Sequence, residues 1–275
     1  MTFTALDRLR RLLPAGLRAG LNRATYEIAY RLPAVADTGF FNGGYRPLLP
    51  GLLAVPQLAA SPSQANLYEL VLRHHPGAHQ TRPARLLDIG CGAGGGLAYA
   101  AAAWPQCRLT GVDASASAIA AARRRLGHRP DITLLRARGE ALPLADASFD
   151  MVASVGTLTN VGAAAFLAEA TRVLVPGGLL SISAGTGWSI EDYRRMLSAA
   201  GAKAGLRLLR LTDITQGAML AIEADAMAHA VLFESLPGFL RGQAREWAAM
   251  PGSARHARYG TGARRDVGAV FQRLG

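Results

Sequence analysis

Arg85-Leu-Leu-Asp-Ile-Gly-Cys-Gly-Ala-Gly-Gly-Gly96 is the stretch on which the fold of this chain turns. Leu86, Leu87 and Ile89 make a short buried strand, and Asp88 interrupts it near its end. Gly90, Gly92, Gly94, Gly95 and Gly96 then form a tight strand-to-helix turn. Glycine is needed there because the backbone takes unusual dihedrals and leaves no side chain where a ligand presses close. The helix starting near Gly95 offers free N–H groups that suit an anion. An acid two residues before the first glycine sets this loop apart from a dinucleotide loop. A carboxylate at Asp88 repels a pyrophosphate but attracts an amino group or a sulfonium.

Around this elbow the pattern alternates. Strands are expected at 85–89, 108–112, 132–136, 149–154, 178–183 and 205–211, and helices at 94–103, 115–126, 162–174 and 189–200. Such alternation predicts a parallel sheet covered on both faces. Residues 212–262 break the rhythm with helical pieces, and Asp266–Leu274 reads as a final antiparallel strand. Upstream, leucines at helical spacing over residues 4–32 predict one or two amphipathic helices. A turn-rich patch (Asp37–Tyr45), a proline-studded connector and a helix at Gln64–His75 follow. The expected organisation is an N-terminal helical cap (1–78) and a main domain (79–275) with a lid-like insertion at 212–262.

Composition narrows the partners. The chain of 275 residues carries a formal charge of +11, concentrated at its two ends, where arginines cluster. With no basic stripe interleaved with aromatics, nucleic acid is not an expected partner. Weak contact with anionic lipid through the basic termini stays open. No apolar run reaches the ~18–20 residues of a membrane span, and Arg8, Arg10 and Arg11 precede any long apolar stretch. Two cysteines, Cys91 and Cys107, build no disulfide framework, so a cytoplasmic location is expected.

Further positions carry chemistry. Asp113 ends the second strand, where an acid grips ribose hydroxyls unless it merely caps the next helix, a task Ser115 also fits. Arg138-Gly139-Glu140 follows the third strand and offers backbone N–H groups to a base ring, with Leu142 beside it. The segment Ser154–Val161 follows at the end of the fourth strand, where a reactive group meets its acceptor. Asp150 reads as structural, and Val173–Gly178 as turn chemistry.

These pieces resemble the class I S-adenosylmethionine (SAM)-dependent methyltransferases over roughly residues 80–211. The matching motifs are Leu87–Gly94, Gly111–Asp113, Glu140–Leu144, Ser148–Asp150 and Arg172–Gly178. Phe40–Tyr45, Asn66–Tyr68, Gly94–Tyr99, Leu236–Arg241 and Arg245–Trp247 more narrowly resemble phthiotriolone-type lipid and natural-product O-methyltransferases. The resemblance implies an α/β fold with a doubly wound, seven-stranded, mostly parallel Rossmann-like sheet. It implies SAM as cofactor, S-adenosylhomocysteine as product and no metal. SAM would be held by Asp88, Gly90, Cys91, Gly92, Gly94, Asp113, Ala114, Arg138, Gly139, Glu140, Ser154 and Tyr45, with Tyr45 and Tyr68 near the SAM or over the acceptor.

Two departures bear on mechanism. Relatives often carry an acid where this chain has Arg138, and arginine accepts no hydrogen bond. Hydroxyl-methylating relatives often place a histidine after the fourth strand, where Thr157, Leu158, Thr159 and Asn160 stand here. His74, His75, His79, His128 and His256 are expected on surface loops or helix ends. His229, in the insertion, is the candidate base, with Thr159 the nearest polar group at the usual place. The expected reaction is methyl transfer to a hydroxyl or carboxyl oxygen of a small hydrophobic, lipid- or polyketide-like acceptor. A carbon or nitrogen acceptor, or a cyclase-like homologue that transfers no methyl, is the alternative. Whether the chain forms an oligomer stays open.

Overall fold

The structure, a computed structural model, describes residues 24, 26–77 and 80–275. The leucine-rich helix expected before residue 24 and His79 lie outside the described residues. In chain order the elements are α1 (Pro33–Ala36), α2 (Pro62–Arg73), β1 (Arg85–Ile89), α3 (Gly95–Ala103), β2 (Arg108–Asp113) and α4 (Ala116–Leu126). Next come β3 (Ile132–Arg136), β4 (Phe149–Val155), α5 (Leu158–Val161), α6 (Ala163–Val173), β5 (Leu174–Thr186) and α7 (Ile190–Lys203). β6 (Leu206–Asp213), α8 (Thr215–Glu234), α9 (Gly238–Trp247), α10 (Ala254–Gly260) and β7 (Arg265–Arg273) complete the chain.

The seven strands form one sheet in the order β3-β2-β1-β4-β5-β7-β6. β7 runs antiparallel to β5 and β6, and the other pairs are parallel. The chain order reverses between β1 and β4, the place where ligands bind in doubly wound sheets. Side chains on β1 alternate between the faces. Leu87 and Ile89 pack with Phe166, Leu167 and Phe271 on one side, and Leu86 packs with Leu72, Leu97 and Tyr99 on the other. Each of these buried large apolar side chains contributes about 1.5–3 kcal/mol. The same alternation turns Asp88 to the face of Leu86, towards α2.

One expected boundary moves. Val173–Gly178 was expected to turn into a strand at 178, whereas β5 already begins at Leu174. Leu174 pairs with Phe149 and Leu179 with Met151, so residues 175–178 bulge out, with Gly177 at φ +78°. The turn is real, but the chain forms a sheet pair before making it. His75 also departs from expectation, lying buried with its Nδ1 against the Pro76 carbonyl at 3.0 Å.

The insertion is helical, as expected, and it meets the N-terminal segment. Tyr30 and Val35 of that segment share one apolar cluster with Ala93 of the elbow and with Phe233, Leu236 and Leu240 of the insertion. Among the described residues no helix is long and apolar enough to cross a membrane.

Candidate active site

β1 delivers Asp88 to the elbow almost fully buried. The Tyr68 hydroxyl donates to its Oδ2 at 3.1 Å, and its Oδ1 is buried with no partner. Burial pushes this carboxyl up to about 7; the Tyr68 bond opposes the rise and the nearby Asp113 charge adds to it. A buried carboxylate oxygen left open beside a glycine elbow is where a ligand cation belongs.

The elbow is laced to β2: the Gly90 and Cys91 amides donate to the Val112 carbonyl at 2.7 and 3.1 Å. Gly90, Gly92 and Gly94 all have positive φ. The Gly92 amide donates to Asp113 Oδ2 at 3.0 Å and the Ser115 amide to its Oδ1 at 2.8 Å. The α4 cap is supplied by Ser115, whose hydroxyl accepts from the Ala118 amide at 3.0 Å. Asp113 is therefore not needed as a side-chain cap. Its carboxyl is raised by burial, partly offset by its bonds to the Ser115 and Gly92 amides.

Three side chains of the chain close over these glycines. A Cβ on Gly90 would overlap Thr157, and one on Gly96 would overlap the Tyr68 ring. At Gly92 it would lie 2.5 Å from the Tyr30 hydroxyl. Tyr30 comes from the N-terminal segment, which Glu27 pins to the start of α4. Glu27 accepts from the Ser115 and Ser117 hydroxyls at 2.7 and 2.6 Å and from the Ser117 amide at 3.2 Å. Burial raises the Glu27 carboxyl, but these bonds outweigh it and the group sits below its ordinary value.

The remaining cofactor candidates divide. Gly139 lies against Ile89 and Phe166, close beneath the elbow. Arg138 pairs with Glu140, so the acid two residues along neutralises the arginine. Ala114 is exposed, and its carbonyl accepts from Arg136. Leu142 packs into the main core. Ser154 is buried, and its hydroxyl donates to the Ile89 carbonyl at 2.7 Å, tying β4 to β1. The Cys91 thiol is buried and held protonated by that burial and by Asp113 and Asp88. Tyr45 sets its ring against Gly217 of α8, whereas Tyr68 meets Asp88.

A cavity of about 510 Å³ opens beyond the ends of β4 and β5. Val155, Gly156 and Ser183–Gly185 form its floor; the N-terminal segment (Tyr26, Phe40, Phe41) and the insertion (Ile222, Phe233, Trp247) wall it. Tyr26 stacks on Trp247 at 5.2 Å, and Phe41 meets both edge-on. His229 lines the cavity with its Nδ1 buried and unpartnered, its ring stacked on Phe233 at 5.6 Å. Burial lowers its pKa, and Asp225 one turn earlier partly restores it. Asp225 also lines the cavity and is held by the Ser63 hydroxyl at 3.0 Å and the Gln64 amide at 2.9 Å. Thr159 is exposed, its hydroxyl donating to the Gly156 carbonyl at 3.4 Å.

Sequence reasoning missed Tyr26, Tyr30, Asp225 and a charged group at the far end of the cavity (Arg255, Arg264, Asp266). Only Asp225 left a local signal, its four-residue spacing from His229.

The residues fit SAM. The open Asp88 oxygen suits its ammonium, and a carboxylate at Asp113, at the end of β2, suits its ribose hydroxyls. Comparison with known proteins agrees. The family described as "Methyltransferase domain" matches residues 87–182. A fatty-acid O-methyltransferase of Mycolicibacterium smegmatis is 28% identical over 92% of this chain and 89% of its own. A phthiotriol/phenolphthiotriol dimycocerosates methyltransferase of Mycobacterium ulcerans is 32% identical over 57% of each. Among solved structures the [4+2]-cyclase SpnF superposes with a TM-score of 0.69 at 18% identity, covering 91% of this chain and 94% of that one. Residues 87–182 match a methyltransferase domain, and the comparisons support the class I SAM-dependent methyltransferase superfamily. Its cofactor is SAM, and among the described residues no cluster of His, Cys, Asp or Glu is set to hold a metal.

Proposed function

We propose that the protein transfers the SAM methyl group to an oxygen of a small hydrophobic acceptor, with His229 as the base when that oxygen is a hydroxyl. The observation that carries this reading is the cavity of about 510 Å³. It lies beyond the ends of β4 and β5, has mostly apolar walls, and is lined by His229, whose Nδ1 is buried without a partner. The relatives matched over 92% and 57% of this chain are named for a fatty acid and for phthiotriol dimycocerosates.

Bound SAM would supply an activated methyl group on a sulfonium whose leaving group is a neutral thioether. Little new charge forms, so the chain's main work is alignment in a dry pocket, an effect worth up to about 7–11 kcal/mol. Asp88 and Asp113 fix the donor, while the Tyr26–Phe41–Trp247 cluster closes the site against water. The lowered pKa keeps His229 neutral at pH 7, free to take a hydroxyl proton. Asp225 beside it stabilises the imidazolium that results. Thr159 has a hydroxyl that is no base at neutral pH.

The test is transfer of isotopically labelled methyl from SAM to a panel of long-chain acids, phenols and aliphatic alcohols. Label is expected in an ester or ether. His229→Asn is expected to lower kcat for hydroxyl acceptors by roughly 10²–10⁴-fold, with Thr159→Val close to wild type. Turnover of an acceptor without label transfer, or label on carbon or nitrogen alone, overturns the proposal.

A further inference from the structure

The far end of the cavity is charged, unlike its apolar walls. Arg255, Tyr259, Arg264 and Asp266 all line it. Asp266 accepts from the Tyr259 hydroxyl at 2.6 Å and from Arg264 at 3.3 Å, and Arg264 Nε donates to the Tyr259 oxygen at 2.9 Å. Within this group one carboxylate answers one guanidinium, and Arg255 is the second guanidinium. Its Nε is buried without a partner. The nearby acid Glu246 is engaged by the backbone amides of Ala254 and Arg255 at 2.8 and 3.0 Å. A buried cation with an open donor, facing a cavity, calls for an anion, and a guanidinium fork matches a planar carboxylate.

Two carboxylates are candidates: that of the cofactor's methionine and that of the acceptor. Sheet order separates them. The elbow sits on β1, whereas Arg264 crosses Gly185 of β5 from the start of β7. With about 4.8 Å between strands, β5 lies about 10 Å and β7 about 14 Å from β1. The methionine carboxylate shares a carbon with the ammonium that faces Asp88, so it stays near the elbow. We propose that Arg255, backed by Arg264, binds a carboxylate carried by the acceptor and distinct from the oxygen that takes the methyl group, making that acceptor an amphiphilic acid with its apolar part along the cavity. This deepens the acceptor-site reading above and rests on it.

The test is titration of the wild-type protein loaded with S-adenosylhomocysteine with dodecanoate and with dodecan-1-ol. Dodecanoate is expected to bind more tightly by roughly ten- to a hundredfold. Arg255→Gln is expected to remove that preference while leaving dodecanol and S-adenosylhomocysteine affinities unchanged, and Arg255→Lys to keep part of it. Equal binding of acid and alcohol by wild-type protein, which needs no variant to fold, overturns the proposal. So does an Arg255→Gln variant that loses S-adenosylhomocysteine but not dodecanoate, since the carboxylate would then be the cofactor's. Wild-type protein that binds no S-adenosylhomocysteine at all overturns the methyltransferase reading itself.

Discussion

A carboxyl group buried at the end of a central strand is costly unless something answers it, and at Asp88 only one oxygen is answered. The ligand-free fold meets that cost by raising the carboxyl from its ordinary 3.8 to about 7. Two consequences follow from the sign of this shift. The unfolded chain releases the proton at the lower pH, so this group removes stability from the ligand-free fold as the pH climbs from about 4 to about 7. A cationic ligand needs the ionised form, so cofactor affinity falls as the pH drops through about 7. Affinity for S-adenosylhomocysteine measured between pH 6 and pH 8 (a range of about two units around that value) should show this dependence, and Asp88→Asn should flatten it. At Gly96, where a Cβ would overlap the Tyr68 ring, Gly96→Ala should cost about 1–3 kcal/mol by overpacking. Thermal unfolding reads that loss.

At the scale of elements, the segment around residues 26–30 is clipped to the N-terminus of α4 by Glu27. That carboxylate gathers three donors and complements the positive end of the helix. Glu27→Gln should cost about 1 kcal/mol of stability, and it should speed S-adenosylhomocysteine release because Tyr30 of the same segment covers Gly92. Stopped-flow displacement reads the release rate, and an unchanged rate would detach this segment from the cofactor. The element pattern was largely legible in the sequence. Leu86–Ile89 and Ile132–Arg136 announce themselves by apolar residues between turn signals, and Asp88 with Asp113 could be read from their distance to the glycines. β5 was read short because Pro176 and Gly177 are turn residues, and a bulge keeps them within a strand whose pairing begins earlier. Tyr45 was read by its resemblance to a flank motif, yet Gly217, a residue far along the chain, decides where its ring lies.

Across the whole molecule, the site is completed by contacts no local pattern encodes. Tyr26, Phe41 and Trp247 come from opposite ends of the chain and close one cluster. Arg255 and Asp266 line one cavity because Tyr259 of α10 bonds Asp266 at the start of β7. These positions were invisible in sequence for that reason, not for want of chemistry. Trp247→Ala should raise the acceptor KM several-fold, as expected for loss of an aromatic wall worth about 1–2 kcal/mol, and leave S-adenosylhomocysteine affinity near wild type. In the proposed mechanism two acids flanking the elbow, Asp88 and Asp113, hold SAM. Calorimetric titration of S-adenosylhomocysteine into wild type and Asp113→Ala tests this most directly. Saturable binding that weakens by about tenfold or more in the variant is the predicted result; no binding to wild type, or equal binding to both, contradicts it.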